Sequence, residues 1–293
     1  ITDRNSSVNP AGVVASDQLL GYHNFSTTNG SREENSTFKW YKRTLYQPQN
    51  RSLAGYWKLD GNANDSSPAG NPGTMVGGVR PNQSMSCAAD DCLTFDGVND
   101  LVNLSNPHSL NFTQSFTVEA WIKPANLSKT ANDFQRIVSR FGHYELVLQD
   151  DGRLNFTLYN TTGSVFQLVA GSVLPQAWSH VAAVFNGTNI SIYVNGVQNS
   201  TALAFIGTLK NSSNFTYIGF ASLGAGIGFF NGSIDEVAIY SYAKSAAEIY
   251  NDYVNSTYTA LIYKGAVGYW HLDSVSSTNT TADSSGYGNT GML

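Results

Sequence analysis

The sequence predicts an all-β protein, a two-sheet antiparallel sandwich or jelly roll. Three observations carry that reading. Apolar and polar residues alternate in short runs such as Phe116-Thr117-Val118-Glu119-Ala120-Trp121-Ile122, the pattern of half-buried strands. Turn signals rich in Gly, Asn and Asp separate the runs at regular intervals. A helix start signal stands out in one place, Ser245-Ala246-Ala247-Glu248, where a Ser hydroxyl caps an amide and the Glu reaches back.

Taken in order, residues 1–52 form a polar N-terminal partial β segment. Residues 19–25 and 37–41 read as two short strands around a Gly/Ser/Asn-rich loop at 27–34. Two strands alone do not bury Trp40 and Tyr41. Residues 53–255 are strand after strand. Leu93-Thr94-Phe95-Asp96 and Leu101-Val102-Asn103-Leu104 flank the tight turn Gly97-Val98-Asn99-Asp100. Residues 144–148 and 154–158 make a hairpin around Asp150-Asp151-Gly152. Residues 180–185 and 190–194 make a meander with turns at Asn186-Gly187 and Asn195-Gly196, both read as type I′. A short helix near 245–253 comes after the capping box. Residues 256–293 read as a linker and the start of a second domain copy. Gly55-Tyr56-Trp57-Lys58-Leu59-Asp60 recurs there as Gly268-Tyr269-Trp270-His271-Leu272-Asp273, and Asp65-Ser66-Ser67 recurs as Asp283-Ser284-Ser285. A repeat this long suits beads on a string. The chain begins at Ile1 without a signal peptide, and the expectation is a mature form or a piece of a longer precursor.

Composition bounds the function. Of 293 residues 41% are hydrophobic and 12% aromatic, enough for a real core. Only 13% are charged, and the net charge is −5. No basic block is present, which argues against nucleic acid as a partner. No apolar run reaches the ~18 residues of a membrane helix. Polarity instead comes from Asn, Ser, Thr and Gly. Twenty of the 29 Asn stand in N-x-S/T sequons: Asn5, Asn24, Asn29, Asn35, Asn50, Asn64, Asn82, Asn103, Asn111, Asn126, Asn155, Asn160, Asn186, Asn189, Asn199, Asn211, Asn214, Asn231, Asn255 and Asn279. Chance would give roughly five or six. The excess points to N-linked glycans and an extracellular or cell-surface location. Cys87 and Cys92 are placed to close a small disulfide loop in an oxidising compartment.

Five stretches in order resemble a known family. They are residues 55–60 with 65–67; 93–100; Ser115-Phe116-Thr117-Val118-Glu119-Ala120-Trp121-Ile122-Lys123-Pro124; Trp178-Ser179-His180-Val181-Ala182 leading to Ile192-Tyr193-Val194-Asn195-Gly196; and Asn231-Gly232-Ser233-Ile234-Asp235-Glu236-Val237-Ala238-Ile239-Tyr240 before the capped helix. Together they resemble the laminin-G-like, concanavalin-A-like jelly-roll domain common in large tandem-domain surface proteins. The first 50 residues more weakly resemble a strand pair of an immunoglobulin-like module. The family resemblance implies two facing antiparallel sheets and adhesive, glycan-binding or architectural roles; fold alone does not choose among them.

Asp60, Asp96, Asn99 and Asp235 form a candidate Ca²⁺ set, because the first and last strands of this fold lie side by side and Ca²⁺ takes clustered oxygens. The competing reading is that Asp60, Asp65, Asp96, Asn99, Asp100 and Asp235 fix turns through backbone amides. Trp57, Trp121, Trp178, Tyr56 and Phe116 read as core, and the Gly224–Phe230 stretch as an apolar contact loop. Catalysis finds no support. Ile234-Asp235-Glu236-Val237 lacks the flanking glutamates of the E-x-D-x-E strand of jelly-roll glucanases. There is no H-E-x-x-H or G-x-S-x-G. The leading expectation is a non-enzymatic, N-glycosylated structural module of an extracellular filament, sheath or surface layer. It would assemble with copies of itself or with adjacent domains, the terminal segment 269–293 pairing with the next sheet. The alternative is a Ca²⁺-dependent, lectin-like adhesin module that binds glycans.

Overall fold

The computed structural model describes residues 52–82, 87–127, 134–221 and 228–254 in full, together with the backbone of four short strands outside those ranges. Contacts divide the chain into two units, Ile1–Gln47 and Pro48–Leu293. In the first, β1 (Gln18–His23) pairs antiparallel with β2 (Phe38–Lys42). The second starts with β3 (Leu53–Trp57), β4 (Thr74–Val76), β5 (Arg80–Asn82), β6 (Cys92–Asp96), β7 (Leu101–Asn103) and β8 (Phe116–Pro124). It continues with β9 (Gln135–Arg140), β10 (Tyr144–Leu148), β11 (Leu154–Tyr159), β12 (Val165–Ala170), β13 (Ser179–Phe185) and β14 (Asn189–Val194). Next come β15 (Val197–Gln198), β16 (Leu203–Ala204), β17 (Tyr217–Ile218), β18 (Phe220–Ala221), β19 (Gly228–Phe229), β20 (Asn231–Tyr240) and a helix, α1, at 246–254. Near the C-terminus β21 (Thr280–Thr281) pairs with β22 (Gly291–Met292). The repeated Gly268–Asp273 motif lies outside the described residues.

These strands make the expected two-sheet antiparallel jelly roll. The front sheet has seven strands in the order β12-β11-β10-β9-β17-β7-β4. The back sheet has nine, β15-β14-β13-β8-β20-β6-β5, with β3 also on β20 and β16 on β14. The core lies between them. Phe116 of β8 packs against Phe112, Tyr144, Phe156 and Phe185 at centroid separations of 4.7–6.0 Å. Trp57 is fully buried and its indole N–H donates to the Asn71 carbonyl, so the first family motif is core.

The turns show why the chain crosses where it does. The 97–100 turn joins β6 in the back sheet to β7 in the front sheet, so it is a switch between layers rather than a hairpin. Asp100 holds it, accepting from the Asp96 and Gly78 amides. Gly77 approaches so closely that a Cβ would lie 2.4 Å from the Asn99 carbonyl oxygen. Asn195 and Gly196 both take positive φ, 51° and 76°, as a type I′ turn requires. The Asn186-Gly187 turn differs from its reading. Gly187 has positive φ but Asn186 does not. The Asn186 side chain instead accepts from the Thr188 and Asn189 amides, which makes a longer Asx-type loop.

The outer side of the back sheet is covered by α1. Its capping box is formed: the Glu248 amide donates to Ser245 Oγ at 3.3 Å, and Glu248 Oε2 accepts from the Ser245 amide at 2.7 Å. Ile249 then packs on Ala182, Val184 and Tyr193, and Tyr253 stacks on Trp121 at 5.9 Å. With both faces covered, nearly every residue of β8 is buried. Among the described residues no helix is long and apolar enough to cross a membrane.

Candidate functional site

Among the described residues no helix covers the outer face of the front sheet; the β18–β19 hairpin meets it at β9, where the Phe220 carbonyl accepts from Ser139 Oγ at 2.6 Å. Cross-strand register lines up two neighbouring rows there. One runs Met75–Val102–Ile218–Val138–Leu146–Phe156–Leu168 and is apolar throughout. It faces the core. The adjacent row, one residue away on each strand, runs Thr74–Asn103–Tyr217–Ser139–Glu145–Thr157–Gln167. Side chains alternate between faces, so this polar row covers the opposite, outer side of the sheet.

At the β9–β12 end the outer face sinks into a cleft of about 140 Å³ lined by Phe134, Arg136, Phe141, Glu145, Val147, Asn155, Thr157, Tyr159, Gln167 and Ala221. Its polar groups are braced. Tyr159 Oη donates to Glu145 Oε1 at 2.7 Å. Burial and the adjacent Glu145 carboxylate push the Tyr159 hydroxyl up, so it stays protonated and donates. Arg136 Nε lies 3.9 Å from Glu145 Oε2, and its guanidinium donates to the Phe134 carbonyl while standing 5.9 Å from that ring's centre. Thr157 Oγ1 donates to Asn155 Oδ1 at 3.2 Å, and Gln167 Nε2 donates to Thr157 Oγ1 at 3.4 Å. The result is a shallow wall of paired donors and acceptors with two aromatic rings at the rim, Phe134 and Phe141. It has the chemistry to hydrogen-bond hydroxyl groups and to cover apolar C–H surface.

The candidate Ca²⁺ set is split. Asp96 and Asn99 belong to the layer-switching turn, where Asp96 Oδ1 accepts from the Val98 and Asn99 amides. Those backbone bonds hold the Asp96 carboxyl below its usual range. Asp235 pairs with Trp121 four positions along β20 from Asn231, the partner of Asp96, roughly 13 Å away at strand rise. Asp60 and Asp235 do come within electrostatic reach of each other, but they serve the disulfide loop. Cys87 and Cys92 are bonded. The loop between them gives its Ala88 and Ala89 amides to Asp235 Oδ2, at 3.1 and 2.9 Å, and its Asp91 amide to Asp60 Oδ1 at 3.2 Å. Asp65 likewise binds the Tyr56, Ser67 and Asn71 amides. Among the described residues no three His, Cys, Asp or Glu side chains converge to hold a metal. The four residues therefore do not make one cation site.

Next to Asp235, Glu236 adopts φ 50° in a bulge of β20 and accepts from the Tyr56 hydroxyl. Burial and the nearby Asp60 charge raise its carboxyl to about 7, against the pull of the Tyr56 hydrogen bond. Asp235 thus serves the Ala88 and Ala89 amides and Glu236 the Tyr56 hydroxyl. Glu119 is structural as well. Burial alone would raise it, but Lys244 at 3.2 Å and His180 at 3.8 Å hold it below its usual range. Lys244 is also paired with Asp252 of α1.

The sequons separate by environment. Asn64, Asn126, Asn186, Asn199, Asn211 and Asn214 are exposed or nearly so, and Asn82, Asn103, Asn111, Asn189 and Asn231 are half-buried. Asn155 and Asn160 are each 4% exposed. Asn155 stands in the cleft wall. Asn160 Nδ2 donates to the Ile206 carbonyl, while its Oδ1 caps Thr162 and Ser164. Asn155 Oδ1 accepts from Thr157 Oγ1. Asn5, Asn24, Asn29, Asn35, Asn50, Asn255 and Asn279 lie outside the described residues, as do residues 224–227 of the expected apolar contact loop.

Comparison with known proteins agrees with this architecture. Residues 96–250, just over half the chain, match the laminin G family described as the concanavalin A-like lectin/glucanases superfamily. No curated protein gives a significant match. Among solved structures, domain 4 of AbnA, an extracellular arabinanase from Geobacillus stearothermophilus in complex with arabinotriose, aligns with TM-score 0.53 at 17% identity over 68% of this chain and 97% of that one. The binding domain of Paraclostridial Mosquitocidal Protein 1 aligns with TM-score 0.56 at 15% identity, over 69% of this chain and 52% of that one. The binding domain of botulinum neurotoxin DC, in complex with rat synaptotagmin II, gives 0.57 at 15% identity, over 71% and 52%. This chain thus spans about half of the two toxin domains, and at these identities the likeness speaks to fold alone.

Proposed function

The chain belongs to the concanavalin A-like lectin/glucanases superfamily, and we propose that within it this chain is a non-catalytic glycan-binding module of an extracellular or surface glycoprotein. The front-sheet cleft is its binding site. The single observation that carries the reading is the polar-lined cleft that opens on the outer side of the front sheet, while α1 packs on the outer side of the back sheet. Arg136 and Glu145 offset each other's charge, so the cleft suits a neutral saccharide. Its volume suits about one pyranose ring, the end of a chain. The arabinotriose complex of the arabinanase domain supports a saccharide ligand by analogy of fold.

A structural role in a tandem array remains a second reading. It is favoured by the sequon density and by the recurrence of the Gly55–Asp60 motif at Gly268–Asp273. A glycan array with and without chelator tests the first reading. Chelator-insensitive binding to neutral oligosaccharides is the expected result. Binding abolished by chelator would return calcium to the site. No binding under either condition would leave the architectural reading.

A further inference from the structure

The front face carries a second feature that the cleft does not use. Phe215, Tyr217, Phe220 and Phe229 form a ladder of rings with centroid separations of 6.4, 5.1 and 4.6 Å. Phe215 is 47% exposed and the other three are half-buried. The sheet explains the placement: Ile218 points into the core, so Tyr217 points out. At the far end of the ladder β19 runs against Arg136 at the cleft, where a Cβ on Gly228 would meet Arg136 Nη1 and the Phe134 carbonyl at 2.1 Å.

Asn103 stands beside the ladder. It pairs directly with Tyr217 across the strands, and such partners hold their Cβ atoms about 5 Å apart on one face. It heads the sequon Asn103-Leu104-Ser105. Its Oδ1 accepts from the Ser105 amide at 2.8 Å, which leaves Nδ2, the atom a glycan occupies, outside that bond. Asn160, by contrast, commits its Nδ2 to the Ile206 carbonyl.

We propose that Asn103 is an N-glycosylation site whose first sugars lie on the Tyr217–Phe220–Phe229 ladder, fixed there by stacking of pyranose C–H faces on the rings. The chemistry needs only an apolar sugar face and half-exposed rings. The covalent tether makes the contact intramolecular. At the effective concentration of a short tether, in the millimolar range, stacking too weak to hold a free sugar is enough. The attached glycan covers the β17 end of the face and leaves the cleft at the β10–β12 end for an incoming ligand. The inference rests on the glycoprotein reading and not on the cleft.

Glycopeptide mapping of protein from a glycosylating host, followed by timed enzymatic glycan release from the native protein, tests it. The expected result is an occupied Asn103 whose glycan is released at least tenfold more slowly than those at Asn126 or Asn186. Tyr217→Ala should bring the rates within twofold of each other, and Phe220→Leu, a milder change, to an intermediate value. Equal release rates in the parent protein would overturn the proposal. So would an empty Asn103 beside occupied Asn126 and Asn186. If, with Asn103 empty, Tyr217→Ala weakens binding of a free oligosaccharide, the ladder belongs to external ligand and the proposal fails. If every sequon is empty, the glycoprotein reading fails and takes this inference with it.

Discussion

The outer faces of the two sheets start from the same strand alternation and end differently. On the back sheet the outward positions include Glu119, His180, Trp121 and Tyr193, and α1 closes over them. Their charges are consumed in the Glu119–Lys244–Asp252 cluster. On the front sheet the outward positions include Asn103, Tyr217, Glu145, Thr157 and Gln167; Glu145 and Thr157 are buried yet line a cleft, and Gln167 at the same cleft is exposed. A polar residue on an outward position is therefore not a functional signal by itself. What covers it decides whether it holds the fold together or is left to meet a ligand.

Substitutions should separate the two faces. The largest effect is expected at Glu119→Ala, which removes one of the two carboxylates that neutralise the buried Lys244 ammonium. Loss of one partner of a buried ion pair costs about 3–5 kcal/mol. Urea unfolding should show that loss while the folded fraction keeps its glycan affinity; weakened binding at unchanged stability would break the comparison. Glu145→Ala should weaken binding, which Glu119→Ala does not. Losing a hydrogen bond to a charged group costs about 1.5–3 kcal/mol, read as a roughly tenfold to hundredfold rise in Kd by calorimetry; Glu145 is itself buried and holds Arg136 and the Tyr159 hydroxyl, so the unfolding midpoint falls as well. Replacing Cys87 and Cys92 together by Ser opens a loop with a sequence separation of 5. Chain entropy assigns a loop this short about 2 kcal/mol, a loss expected in stability and absent from binding.

The smallest effect is a pH slope. The folded Glu236 carboxyl sits at about 7 against an ordinary value of 4.5. The native state therefore holds a proton that the unfolded state has released, and stability falls as pH rises through that window. Glu236→Gln removes this dependence, so its stability relative to the parent should rise from pH 4.5 to about 7 and then level off. His143, pushed down to about 3 by burial and by Arg140, loses stability in the opposite direction, but equally in both proteins, and cancels in the difference. A flat difference across the window would show that Glu236 ionises normally.

Much of the back sheet was legible in the sequence, because its signals are local. The Phe116–Ile122 alternation, the Asn195-Gly196 turn and the Ser245–Glu248 capping box each act within a few residues. The Cys87–Cys92 pairing and the buried Trp57 were legible for the same reason. The front-sheet site was not. Glu145, Thr157 and Gln167 meet because three strands are in a particular register, and register leaves no mark on any one strand. Polar residues alternating with Leu146, Phe156 and Leu168 were a hint of an outward face, but not of which face stays open. The calcium grouping failed on the same point. Asp96 and Asp235 both sit beside or within β20, yet the ladder puts them at different points along it. The burial of Asn155 and Asn160 was not legible either, because the sequon records only three residues and nothing of the fold around them.

The central claim is that ligand meets the cleft on the outer side of the front sheet. The most direct measurement is chemical-shift mapping by NMR with a neutral oligosaccharide selected on the glycan array. Shifts concentrated at the amides of Glu145, Thr157 and Gln167 are the predicted result. Shifts confined to the 88–91 loop by Asp60 and Asp235, or to the back sheet around Glu119 and Val184, would contradict it.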